Sequence, residues 1–160
     1  MKPGSNLTPQ DLPAINAVIE AAVMGWQLPE RVKRLSLPSY RYDVADLQHL
    51  QMQVLRNDAS CIVAVAAWEA ADPRDTPAQQ AGLLLHGLYV HPDFQRQGLG
   101  KKLLQAAQQA ALAGGYAGLL VKAQADAENF FAACGLVKLP VENPARHYAN
   151  RYWLALIKSV

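Results

Sequence analysis

Between Gln95 and Lys102 the sequence runs QRQGLGKK, two glycines one residue apart among an arginine and two lysines. Upstream is the strand-like LYVH, closed by Pro92; downstream, Leu99, Leu103, Ala106, Ala107 and Ala110 recur at helical spacing. A helix start offers up to four N–H groups without intrahelical acceptors, together with the positive end of the peptide dipoles. Glycine at 98 and 100 lets an anion approach that backbone without a Cβ in the way, and Arg96, Lys101 and Lys102 add charge. The chemistry this spacing suggests is the holding of a phosphate or pyrophosphate. It is not a GxxxxGK[ST] loop, nor GxGxxG, since Leu103 stands where the third glycine would fall. By spacing alone, a basic helix start after a glycine turn, with no ligand, fits as well.

The rest of the chain narrows the classes. Cys61 and Cys134 lie in unrelated contexts with no CxxC or Cys/His cluster, so both read as reduced core thiols and no metal site is legible. At 160 residues the chain reads as a single domain over 1–160, able to bury roughly 70% of its unfolded surface without a disulfide or metal staple. Its 51% hydrophobic and 18% charged content is that of an ordinary globular protein. A net charge of +2 is too weak to argue for nucleic acid, no basic run interleaves with aromatics, and no nucleic-acid partner is expected. MKPGSNLTPQD lacks the apolar core of a signal peptide, which leaves the cytoplasm as the expected compartment.

The elements that must position the loop follow from periodicity. Thr8-Pro9-Gln10-Asp11 reads as an N-cap, a proline at the first helical position and an acid in the first turn, opening a helix over 9–25. Leu12, Ile15, Ile19, Val23 and Trp26 share one face of it. Asn16 and Glu20 interrupt the apolar run, so it is amphipathic and not a membrane span. QLPERVKRLSLPSYRY reads as a short helical piece and a proline-bounded connector, and DVADL as a further helical turn. HLQMQVLRNDASCIVAVAAWEA predicts two strands joined at Asn57-Asp58, a pair tolerant of positive φ, and DPRDTPAQQ reads as a surface loop. In AGLLLHGLYVH, Leu84, His86, Leu88 and Val90 share one face and Leu85, Gly87 and Tyr89 the other. That predicts a central strand covered on both sides. Residues 98–113 form a helix, YAGLLVKA a buried strand, DAENFFAACG a short helix stopped by Gly135, and LVKL and NRYWLALIKSV the closing strands. An early antiparallel hairpin and a later strand–helix–strand crossover make a three-layer α/β (α+β) domain with a mixed sheet and flanking helices.

Gln95-Arg96-Gln97-Gly98-Leu99-Gly100, preceded by VHPDF, resembles the Q/R-x-x-G-x-G/A signature of the GCN5-related N-acetyltransferase (GNAT) superfamily. TPQDLPAINAVIEAA looks like that family's first helix, the hairpin across Asn57-Asp58 like its second and third strands, and AENFFAACGLVKL like its A..FY...GF segment. The resemblance implies a three-layer GNAT fold with a splayed central strand pair, and acetyl-CoA as acyl donor without a metal. Carried over by position, Leu88, Tyr89 and Val90 supply main-chain contacts to the pantetheine arm. Gln95, Arg96, Gln97, Gly98, Leu99, Gly100 and Lys101 cradle the pyrophosphate, and the Val90 amide is the oxyanion donor. Gln124 aligns with the asparagine that often touches pantetheine. His86 is the candidate base, at the offset of the catalytic histidine in arylalkylamine N-acetyltransferases, with a core histidine as the other reading. Glu69 is a second candidate.

The chain also departs from the family. Phe131 stands where the family tyrosine protonates the CoA sulfur, and phenylalanine has no proton to give. Tyr148 is the candidate replacement, with Tyr152 and then Cys134 behind it; Phe130 and Phe131 also read as packing. The first family strand would fall in MKPGSNL, and is short or missing. The acceptor site is expected from the connector at 26–42 and the segment 142–152. Trp26, Leu28, Tyr40, Tyr42, His147 and Tyr148 would line it, and Arg31, Lys33, Arg34 and Arg146 would favour an acidic acceptor; each also reads as surface or packing. The expected function is acetyl transfer from acetyl-CoA to an amine of a small molecule or peptide by direct attack, with no nucleic-acid or membrane partner. Family members often form homodimers, though nothing in the sequence marks an interface. Phe131 favours one rival, a catalytically silent acyl-CoA-binding sensor; a phosphate-binding domain unrelated to CoA is the other.

Overall fold

In the computed structural model, which describes residues 7–156, the chain enters at a capped turn. The Thr8 N–H donates to Asp11 Oδ2 at 2.8 Å, and Pro9 at the first helical position has no N–H to leave unpaired. There follow α1 (Leu12–Met24), α2 (Glu30–Tyr40), α3 (Val44–His49), β1 (Gln51–Arg56), β2 (Ile62–Ala70), β3 (Gly82–Val90), α4 (Leu99–Ala113), β4 (Gly118–Lys122), α5 (Glu128–Ala133), β5 (Val137–Lys138) and β6 (Arg151–Ala155). The strands form one mixed six-stranded sheet in the order β1-β2-β3-β4-β6-β5. β3 and β4 are parallel and joined through α4, as the crossover pattern predicts; β6 runs antiparallel to both β4 and β5. The β3–β4 register runs from Gly82↔Gly118 to Leu85↔Val121, and β3 continues to Val90. MKPGSNL lies outside the described residues but for Leu7. Among the described residues no helix is long and apolar enough to cross a membrane.

By its contacts the chain divides into two compact units, Met1–Ala67 with Gly87–Leu104, and Trp68–His86 with Gln105–Val160. In the first, the buried face of α1 (Leu12, Ile15, Val18, Ile19, Ala22 and Val23) joins Val54, Val65 and Tyr89 in one apolar cluster. Truncating a fully buried Ile15 or Ile19 to alanine removes about 2–5 kcal/mol. The expected connector is instead a continuous helix to Tyr40. Pro38 falls in its last turn, where it removes one N–H bond without ending the helix. Lys33, expected near an acceptor, points inward: it is buried, its Nζ donating to Met24 O at 2.7 Å and pairing with Glu30 at 2.9 Å. Its ammonium thus closes the carbonyl end of α1.

In the hairpin the left-handed residue is Ser60 (φ 64°), not the Asn57-Asp58 pair. Asn57 Oδ1 accepts the N–H groups of Ala59 and Cys61, both at 3.0 Å, so the asparagine shapes the loop through its side chain. Cys61 is exposed at the end of this polar turn and Cys134 half-buried, so neither is the core thiol expected. β3 is central but unevenly covered. Leu83, Leu85 and Tyr89 are buried, whereas Leu84, Leu88 and Val90 are half-buried and His86 exposed.

The second unit has its own packing. Gly82 and Gly118 sit side by side on β3 and β4, and the indole of Trp153 lies across both; a Cβ on Gly118 would stand 2.2 Å from Trp153 Cζ2. Gly135 (φ 93°) ends α5, with Leu136 N–H returning to Phe131 O at 3.1 Å, as a C-terminal cap requires. DPRDTPAQQ is not a plain surface loop. Two 3-10 turns, Pro73–Asp75 and Pro77–Gln79, bury Asp75 and Thr76.

Candidate active site

In the first unit β3 leaves the sheet through a tight turn. His91 N–H donates to Val63 O at 2.9 Å, fixing the strand end. The His91 ring accepts Asp93 N–H at Nδ1 (3.1 Å) and meets Phe94 edge-on at 5.9 Å, while Phe94 N–H returns to His91 O at 2.9 Å. These contacts account for His91 and Phe94 in the HPDF wording, whose side chains hold the turn that aims the next residues. Gln95 Nε2 reaches back to Val90 O at 3.4 Å. Arg96 (φ 64°) and Gly98 (φ 77°) are left-handed on either side of Gln97, an alternation found in backbone nests that turn successive N–H groups toward an anion. The first α4 bond runs from Lys102 N–H to Gly98 O at 3.0 Å, so the amides of Leu99, Gly100 and Lys101 precede any intrahelical acceptor. Arg96, Gln97, Lys101 and Lys102 are exposed, and the space beside the Gly98 Cα is open. Leu99 is buried and anchors the helix start from behind.

The strand supplies backbone more than side chains. Tyr89 turns into the α1 cluster, and burial there, with Tyr40 adding to it, pushes its phenol well above the usual tyrosine range. Gly87 leaves room for this packing: a Cβ there would lie 2.5 Å from the Tyr42 hydroxyl oxygen. What Leu88, Tyr89 and Val90 can offer a ligand is therefore mainly their peptide groups.

In the second unit Gln124 is half-buried, its carbonyl accepting Ala127 N–H at 2.9 Å at the start of the 3-10 turn before α5. Phe131 is buried, edge-on to Phe130 at 5.2 Å. Tyr148 is exposed and its hydroxyl donates to Ala123 O at 3.4 Å. Tyr152 is committed elsewhere: its hydroxyl donates to Glu128 Oε1 at 3.2 Å, and burial together with that bond raises its pKa. Glu69 is half-buried at the end of β2.

Several residues expected to line an acceptor site have other partners. Tyr42 is in the core and trades two hydrogen bonds with Asn16, each at 2.9 Å through the Tyr42 main chain. Trp26 and Tyr40 pack edge-on at 5.2 Å against the core. Arg146 grips Asp72 and Asp75, and His147 accepts main-chain N–H groups of its own segment. Leu28, Arg31 and Arg34 are exposed. The polar cluster around Asp75 has no local motif, since its cations come from far along the chain, as with the Asp75–Arg146 separation of 71. Among the described residues no group of three or more His, Cys, Asp or Glu side chains is placed to hold a metal.

A family model described as an acetyltransferase (GNAT) domain matches residues 49–137, more than half of the chain. No curated protein matches the sequence. Among solved structures, a GCN5-related N-acetyltransferase from Rhodopseudomonas palustris superposes with TM-score 0.71 at 23% identity, over 97% of this chain and 94% of that one. A GNAT-family acetyltransferase from Brucella melitensis, in complex with acetyl-CoA, gives 0.62 at 16% identity over 96% and 87%. AtaT complexed with acetyl-methionyl-tRNAfMet gives 0.57 at 19% identity over 85% and 88%. At these identities the likeness is one of fold.

Proposed function

The chain belongs to the GNAT acetyltransferase family, and on that premise we propose that it transfers an acetyl group from acetyl-CoA to an amine by direct attack. The observation that carries this is the loop at the mouth of α4, where Arg96 and Gly98 take left-handed backbone on either side of Gln97, the alternation from which a nest for an anion is built. Acetyl-CoA supplies an activated acetyl thioester. The amides of Gln95 to Lys101, with the Arg96 and Lys101 charges, take its pyrophosphate. The peptide groups of Leu88, Tyr89 and Val90 bind the pantetheine arm as an added strand would, along the part of β3 beyond the β4 register.

His86, exposed on the half-covered face of β3, takes the proton from the attacking amine. The Val90 N–H donates to the acyl oxygen as negative charge develops there. Tyr148 gives its proton to the leaving thiolate in place of the hydroxyl that Phe131 lacks. The acceptor is a small-molecule or peptide amine. Because AtaT is seen with an acetylated aminoacyl-tRNA, an amino group carried on RNA belongs in the acceptor panel.

A second reading, a silent acyl-CoA sensor, is favoured by one observation: the family tyrosine position holds a buried phenylalanine. Thermal shift with acetyl-CoA against AMP, then free-thiol release over amines, peptides and aminoacyl-tRNA, separates the two. Stabilisation by acetyl-CoA with turnover on one acceptor is the expected result; stabilisation with no turnover leaves the sensor. His86→Ala is expected to keep acetyl-CoA affinity and flatten the rise of rate with pH that a general base gives. An unchanged profile removes His86 from the mechanism.

A further inference from the structure

Lys122 of β4 and Arg151 of β6 are register partners, and Arg151 is only 3% exposed. Two cations set directly across a sheet repel, and a buried guanidinium needs an anion or a full set of acceptors. Asp75 answers both. Its carboxylate lies 3.6 Å from Lys122 Nζ, and its carbonyl accepts Arg151 Nη1 at 2.6 Å. Arg151 Nη2 donates to Pro140 O at 2.8 Å, while its Nε is buried without a partner.

The same aspartate also holds the segment between β5 and β6. The Arg146 fork grips Asp75 through both oxygens, Nε to Oδ1 and Nη2 to Oδ2, each at 3.1 Å, and its Nη2 reaches Asp72 Oδ2 at 3.0 Å. Beside it, His147 Nδ1 accepts the N–H groups of Glu142 (3.3 Å) and Asn143 (3.2 Å), which leaves the proton on Nε2 to donate to Arg74 O at 3.1 Å. Next in sequence is Tyr148, whose hydroxyl meets Ala123 O just beyond β4. Residues 139–150 contain no helix or strand, yet they are tied down at Pro140, Arg146, His147 and Tyr148. Loops held only by their ends lack this degree of fixation.

We propose that Asp75 and Arg146 are positioning residues: their ion pair fixes the 139–150 segment and thereby the place of the Tyr148 hydroxyl. The functional part of this rests on Tyr148 as the acid, so the experiment separates the two. Because Asp75 is buried, Arg146 is the variant of choice, with Arg146→Ala and Arg146→Lys compared by hydrogen exchange and by acetyl-CoA-dependent thiol release.

Arg146→Ala is expected to speed exchange of amides 141–149 at least about tenfold while β4 and β6 amides stay protected. It should also lower kcat about tenfold with the KM for acetyl-CoA within about twofold, and Arg146→Lys should restore part of both. In a Tyr148→Phe background the same change should cost little more, since both act through one hydroxyl. Unaltered exchange in Arg146→Ala overturns the clamp, and so does a full additional loss of rate on top of Tyr148→Phe. If Tyr148→Phe alone leaves turnover intact, the acid reading of Tyr148 falls, and the exchange data still decide the clamp.

Discussion

A non-glycine residue in the left-handed region gives up about 1–2 kcal/mol relative to ordinary backbone, and Arg96 carries that cost at the mouth of α4 with φ 64°. Strain of this kind persists where the conformation itself is useful, and a nest for an anion is such a use. Stability and binding should therefore respond in opposite directions. Arg96→Gly relieves the strain and removes a cation, so the unliganded protein should melt at the same or a higher temperature while acetyl-CoA affinity falls about tenfold. Calorimetric melting beside titration of acetyl-CoA reads both; a variant that melts lower, or binds as before, contradicts the nest. The glycine spacing and basic residues of this loop were legible from the sequence because they are contiguous. The turn of Tyr89 into the core was not, since strand alternation says which residues share a face and not which face the protein covers.

At the scale of elements, helix starts and strand periods carried most of the fold. The capped start of α1, the β3–α4–β4 crossover and the Gly135 stop all follow from short-range patterns. The misread elements are those decided by distant partners. α2 runs through Pro38 because packing of Leu37 and the Lys33 bond to Met24 O hold it. The 72–80 loop is ordered because Asp75 has cations to face. Gly82 and Gly118 belong to the same class: each looks like a weak strand residue until Trp153 is laid across both. Gly118→Ala should therefore destabilise by about 2 kcal/mol or more, since its methyl would occupy the indole's place. Urea unfolding gives the number, and a midpoint equal to the wild type's would mean that Trp153 can move aside at no cost.

For the molecule as a whole, the net charge of +2 conceals a local balance in which acids are matched to cations across long sequence separations. The Arg74 hydrogen bonds, with Arg146 adding to them, hold the Asp72 carboxyl well below the usual carboxylate range. A carboxylate depressed in the folded state contributes stability that is present above its unfolded pKa, near 3.8, and is lost as pH falls through the lower folded value. Wild type and Asp72→Asn should therefore differ in unfolding midpoint at neutral pH and converge under strongly acidic conditions. A gap that stays constant with pH would show that the Asp72 charge contributes nothing.

The sequence by itself determined the family, the order of most elements and the glycine-spaced basic loop before α4, because each is written in residues within a turn or two of one another. Tertiary structure alone decided that His86 is exposed, that Lys33 and Tyr42 are structural, and that Asp75 gathers Lys122, Arg146 and Arg151 around the segment carrying Tyr148. The physical reason is range. Backbone propensity and periodicity act over a few residues, whereas burial of a charge is settled by whichever partner the folded chain brings within hydrogen-bond distance.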